Sequence, residues 1–89
     1  MSDLKEQFDA AVDYVQSSES GSAKPSKDFL LTMYALFKQS SEGDVKGKRP
    51  GITHFVARSK YDAWAKRKGT STEQAMQAYI AEVEKIKKR

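Results

Sequence analysis

Residues 25–43 read PSKDFLLTMYALFKQSSEG, and this stretch decides the fold. Pro25 and Ser26 open a helix, with the Ser26 oxygen placed to accept from an amide of the first turn. Asp28 follows where the positive end of the helix dipole favours an acid. Leu30, Met33, Tyr34 and Phe37 then recur at helical spacing, and Phe29, Met33 and Leu36 widen the stripe. A stripe that broad is buried on more than one side. Gly43 stands after Gln39, Ser40, Ser41 and Glu42 as a left-handed C-terminal cap.

Working outward, Leu4, Phe8, Ala11, Val12 and Val15 mark an earlier helix, with Ser2 as its N-cap and Asp3 and Glu6 in its first turn. Residues 17–24, SSESGSAK, hold no periodic apolar residue and read as a flexible loop. Beyond the central helix, GDVKGKRPG carries three glycines and a proline, so it is an irregular connection that ends where Thr53 or a neighbour caps a third helix. Ala57, Tyr61, Trp64 and Ala65 form that helix's face, and Gly69 ends it. Ser71 and Gln74 spell a capping box, followed by Met76, Tyr79, Ile80, Val83 and Ile86 as the stripe of a fourth helix. No stretch alternates apolar and polar residues. The expected class is all-α, four helices in one domain spanning residues 1–89.

The 89 residues include no cysteine, which excludes disulfides, thiolate metal sites and cysteine nucleophiles. Packed helices alone must therefore stabilise a small core. The longest apolar run, around Phe29–Leu31, is far short of the roughly 20 residues that span a bilayer. Asp3, Glu6 and Asp9 occupy the place where a signal peptide carries positive charge. The expectation is a cytoplasmic monomer with no stable membrane insertion. Charge is divided unevenly: residues 1–45 hold four lysines against eight acids, a net of −4, while residues 46–89 hold twelve Lys/Arg against four, a net of +8. That asymmetry points to an anionic partner.

Most chemistry is excluded by residue type. A single histidine, His54, cannot make a zinc site without further ligands and reads as a solvent-facing or capping residue. Between Gly43 and Gly47 lie three residues where a phosphate loop needs four, and Arg49 follows Lys48 where Ser or Thr is required. Asp44 alone does not make a calcium loop. No nucleophile, base and orienting group fall together, so the chain reads as non-enzymatic, without metal or cofactor. Lys66–Arg67–Lys68 and Lys85 with Lys87–Lys88–Arg89 suit solvated helix C-termini. Lys38 and Lys60 differ, because each lies beside aromatics on its own helix: Tyr34 and Phe37 for the first, Tyr61 for the second. Cations for a phosphate and a ring for a base would suit a nucleotide. Spacing alone still favours half-buried core for Tyr34 and Tyr79, and surface lysines for Lys38 and Lys60.

The ordered series Tyr34-Ala-Leu-Phe37-Lys38-Gln39, Gly43-Asp44, Pro50-Gly51, Ser59-Lys60-Tyr61-Asp62-Ala63-Trp64, Lys68-Gly69 and Ala75-Met76-Gln77-Ala78-Tyr79-Ile80 closely resembles the acyl-coenzyme A-binding protein family. The resemblance runs from Phe8 to about Lys87. It implies an up-down-down-up four-helix bundle that binds long-chain acyl-CoA without altering it. By the same resemblance Tyr34, Lys38 and Lys60 match residues that hold the ribose 3′-phosphate, and Phe37 matches an aromatic that stacks on adenine. Tyr79 matches a further ligand-contacting tyrosine, and Leu30 and Leu31 fall where the acyl-chain groove is lined. Phe37 replaces the family's usual tyrosine, Tyr61 its tryptophan, and His54 a common aspartate; Gln16 stands at an often basic position.

The rival expectation is a small basic helical nucleic-acid-binding module, with helix three, a turn at Gly69 and helix four imitating helix-turn-helix. Glu73, Glu82 and Glu84 on helix four would repel phosphates, which argues for no nucleic acid. A lipid-surface protein would need basic residues flanking an exposed apolar face. The apolar stripes here face a core instead.

Overall fold

The computed structural model describes residues 3–16 and 26–87, which form four helices: α1 (Asp3–Gln16), α2 (Lys27–Glu42), α3 (Phe55–Ala65) and α4 (Thr72–Lys87). The expected Ser2 cap and the loop at residues 17–24 lie outside the described residues.

Local chemistry sets the helix limits. Ser26 caps α2, its Oγ accepting from the Phe29 N–H at 3.0 Å. Gly43 ends α2 at φ +82°, ψ −149°, and its N–H donates to the Gln39 carbonyl. The positive φ is as expected, although ψ lies outside the left-handed helical region. The α4 capping box forms reciprocally: Gln74 N–H to Ser71 Oγ at 3.1 Å, and Ser71 N–H to Gln74 Oε1 at 3.2 Å.

His54, the neighbour of Thr53, takes the N-cap position of α3 without a side-chain capping bond. Helix α3 departs from the sequence reading in two places. The helix stops at Ala65 rather than at Gly69; residues 66–69 form a turn that closes with Gly69 at φ +92°. Ala57, expected on the packed face, is exposed, because among the described residues α3 has α2 as its helix partner and a narrow contact face.

The helix directions follow from matched residues. Lys60 lies over Tyr34 and Lys38 over Trp64, so α2 and α3 run parallel, with a constant offset of 26 residues between the paired positions. Phe8 meets Tyr79 and Tyr14 meets Lys87, so α1 and α4 are parallel as well. The last turn of α2 meets the start of α4 through Gln39 and Thr70, which makes those two antiparallel. The order is up-down-down-up.

The core lies between α1, α2 and α4: Phe8, Ala11, Met33, Leu36, Ala75, Tyr79 and Val83 are all buried. Helix α3 stands apart from it, with α2 as its helix partner among the described residues, and the molecule is flat, with extents of 37 × 34 × 16 Å. Four hydrogen bonds hold that extension. Trp64 Nε1 donates to the Gly43 carbonyl at 2.8 Å. The fully buried Gln39 amide donates to Asp44 and to the Thr70 carbonyl, both at 2.8 Å. Asp44 in turn accepts from the Gly69 N–H at 2.9 Å.

Candidate ligand site on the α2–α3 seam

Parallel α2 and α3 bring lysines and aromatic rings together in a crossed arrangement. Lys60, from α3, places its ammonium 5.3 Å from the centre of the Tyr34 ring on α2. Lys38, from α2, places its own 4.9 Å from the Trp64 ring on α3. Each cation rests on a ring of the other helix, where the negative π face attracts it. Tyr34 and Lys38 are four residues apart and so share one side of α2. The sequence groups Tyr34, Lys38 and Lys60 by resemblance, and the fold brings these three to one seam.

Lys38 is the most constrained of them. Its Nζ forms an ion pair with Glu42 Oε2, and its side chain is 22% exposed. The hydrogen bond to Glu42 holds the Lys38 ammonium above its ordinary pKa, against an opposing desolvation. Glu42 is correspondingly held below the usual carboxylate value by its bond to Lys38. The other oxygen of Glu42 faces Lys46 at 4.0 Å. Nothing in the spacing of apolar residues marks Glu42, although its place four residues after Lys38 is the signal for such a pair.

Phe37 lies on the core side of this group, half-buried and stacked on Phe8 with ring centres 6.3 Å apart and planes at 19°. Tyr79 is 3% exposed and meets Phe8 edge-on at 5.2 Å. Burial raises its phenol pKa. Phe8 thus links Phe37 to Tyr79, whereas the lysine ammoniums rest on the rings of Tyr34 and Trp64.

Leu30 and Leu31, expected together along an acyl groove, separate. Leu30 is half exposed, and the 26-residue offset sets it level with Val56, beside the exposed Phe55. Leu31 lines a cavity of about 650 Å³ between α2 and α3, with Thr32, Ala35, Ser59, Ala63 and Arg67. Of the seven ligand residues expected from sequence, Leu31 alone lines it. Tyr34, Lys38 and Lys60 do not line it, so the cavity and the lysine–aromatic group are separate features of the seam.

The sequence reading also missed Ile52, Phe55 and Val56 as surface residues; they are 71%, 73% and 64% exposed. A signal for them exists. They lie in the span between Asp44 and Asp62, which contains Lys46, Lys48, Arg49, Arg58 and Lys60 and no acid. Arg49 closes that span with a bidentate pair to Asp62, Nε and Nη2 donating at 2.8 and 2.7 Å. Among the described residues no group of three or more His, Cys, Asp or Glu is placed to hold a metal ion. No described helix is long and apolar enough to cross a membrane.

The geometry has counterparts among known proteins. Residues 5–83 match the family model described as acyl CoA binding protein. An acyl-CoA-binding protein homolog of Manduca sexta is 46% identical over 84 residues, 93% of this chain and 90% of that protein. Homolog 3 of Caenorhabditis elegans is 45% identical over 78 residues, 86% of this chain and 67% of that one. The crystal structure of the acyl-CoA-binding protein from Moniliophthora perniciosa superposes with a TM-score of 0.89 at 42% identity, covering 94% of this chain and 80% of that one. That of Oryza sativa acyl-CoA-binding protein 2 gives 0.87 at 33% identity, covering 96% and 91%. With four helices in this order, a family model matched over residues 5–83 and a Manduca sexta relative 46% identical over 93% of this chain, the chain belongs to the acyl-CoA-binding protein family.

Proposed function

We propose that this protein binds long-chain acyl-CoA esters non-covalently and releases them unchanged, as a cytoplasmic, monomeric single-domain carrier and buffer. One observation carries the reading: Tyr34, Lys38 and Lys60 meet on one seam, with two cations braced on rings of the opposite helix. A 3′-phosphate carries close to two negative charges, and two ammonium groups with a phenol donor neutralise and orient it. The exposed Leu30, Phe55 and Val56 lie toward the N-terminal ends of the same two helices and offer apolar surface to the acyl chain. In this reading Phe37 supplies the adenine stacking face, Tyr79 a further contact, and Leu30 and Leu31 the acyl groove. No step requires a cofactor or a metal.

Each methylene buried adds up to about 0.8 kcal/mol until the apolar surface is covered. A long-chain ester should therefore bind one to one and far more tightly than either coenzyme A or the free fatty acid. Lys60→Ala should weaken that binding by about 1.5–3 kcal/mol, the usual worth of a hydrogen bond to a charged group. Calorimetry with the ester and its 3′-dephospho form tests the assignment. The loss should appear with the parent ester and largely vanish with the dephospho form; equal losses would remove Lys60 from the phosphate. Equal affinity for fatty acid and ester would overturn the function. Binding to duplex nucleic acid that collapses as salt rises would instead support the basic-module alternative.

A further inference from the structure

We propose that Glu42 is a built-in competitor for the ligand's phosphate, its carboxylate holding Lys38 so that the 3′-phosphate must displace it. The inference rests on the reading of Lys38 as a phosphate ligand and adds to it a residue that limits affinity.

Glu42 is the last residue of α2, where the helix dipole is negative and an acid is disfavoured. The last turn holds no basic residue, and the cations that offset the carboxylate lie one turn before it, at Lys38, and past the helix end, at Lys46. One oxygen pairs with Lys38 and the other faces Lys46 at 4.0 Å, which places the carboxylate between two ammonium groups. A residue that opposes its own helix while holding the central cation of a ligand site marks function more than stability.

A carboxylate and a phosphate dianion cannot share one ammonium without repulsion. Binding of the phosphorylated ligand therefore has to break the Lys38–Glu42 pair, and Lys46 gives the released carboxylate a second cation to turn toward. Lys38 meanwhile remains seated over Trp64, so the cation keeps its place while its partner changes. A ligand with a hydroxyl in place of the 3′-phosphate carries no charge at that position, and leaves the pair intact. Glu42 thus weakens the phosphorylated ester selectively.

The test is calorimetry of dodecanoyl-coenzyme A and its 3′-dephospho form against the natural chain, Glu42→Gln and Asp9→Asn. Asp9 forms a comparable i,i+4 pair with Lys5 at 3.3 Å, exposed on α1, and its substitution raises the net charge by the same amount. Glu42→Gln should bind the phosphorylated ester about two- to fivefold more tightly, the range expected from losing one ion pair of this exposure. It should leave the dephospho ester unchanged, and Asp9→Asn should change neither. An unchanged Glu42→Gln affinity, an equal gain for both esters, or an equal gain in Asp9→Asn overturns the proposal while the functional reading stands. Failure of the natural chain to bind the phosphorylated ester overturns both. Circular dichroism should show the same helix content in all three proteins.

Discussion

Helix α2 has two seams, and they are built from opposite materials. Toward α4 and α1 it presents Met33 and Leu36, sealed against Ala75, Tyr79 and Val83 with almost no exposed surface. Toward α3 it presents Tyr34 and Lys38, joined across the seam by cation–ring contacts and, at the helix end, by the Trp64 bond to Gly43. The first seam excludes water and gains its stability from buried area. The second keeps charge near the surface, where each contact contributes little to folding but stays available to a ligand. One helix thus serves as the wall of the core and the floor of the proposed site. The difference predicts that substitutions on the two seams will separate stability from binding.

The largest effect should come from breaking the sealed seam. Leu36 is 1% exposed, and Leu36→Ala removes buried methyl groups while leaving a cavity. The expected cost is about 2–5 kcal/mol, a large share of the stability available to so small a domain. Urea unfolding followed by circular dichroism would measure it. A cost below about 1 kcal/mol would mean that the two seams do not divide stability and binding as their composition implies.

How much of this is legible in the sequence depends on the seam. Period and caps are local signals, so the apolar stripe of α2, the Ser26 cap and the Ser71–Gln74 box can be read directly. The polar seam cannot, because a lysine over a ring of another helix has no signature in spacing. Only the ordered resemblance brings Lys38 and Lys60 together. Ala35 and Ala75, both nearly fully buried, escape a sequence reading because small side chains barely register in a hydrophobic stripe. The overlong expectation for α3 has a different cause: Gly69 does adopt a positive φ, but it closes a turn rather than a helix. Glycine chemistry fixes the backbone conformation without saying which element it terminates.

A smaller effect should appear where the polar contacts anchor α3 to the rest. Asp44 is held below its ordinary pKa chiefly by the Gly69 N–H, then by the Gln39 amide, with Lys68 adding attraction. A carboxyl whose folded pKa is depressed contributes stability that is complete above its unfolded pKa and is lost as pH falls through the folded value. The window thus opens near the ordinary aspartate value of about 3.9 and extends below it. Asp44→Asn should lower the melting temperature at pH 7, and the two melting curves should converge as the pH drops through this window. A constant difference at every pH would show that Asp44 acts by shape and hydrogen bonding, with no contribution from its charge.

The smallest effect is expected where the two seams meet, at Phe37. Its ring stacks on Phe8 of the core and stands beside Lys38 in the chain, so it belongs partly to each region. Phe37→Tyr keeps the ring and adds one oxygen. A phenol that reaches a polar group of the ligand would contribute about 0.5–1.5 kcal/mol, and one that only replaces a water would contribute close to nothing. Affinity for dodecanoyl-coenzyme A should therefore stay level or rise by at most about tenfold. A fall of more than about tenfold with helix content unchanged would carry the opposite meaning. The para position of Phe37 would then be enclosed by the sealed seam, where an oxygen without a partner is costly. Phe37 would belong to the core alone, and the stacking face for adenine would have to come from another ring of the polar seam.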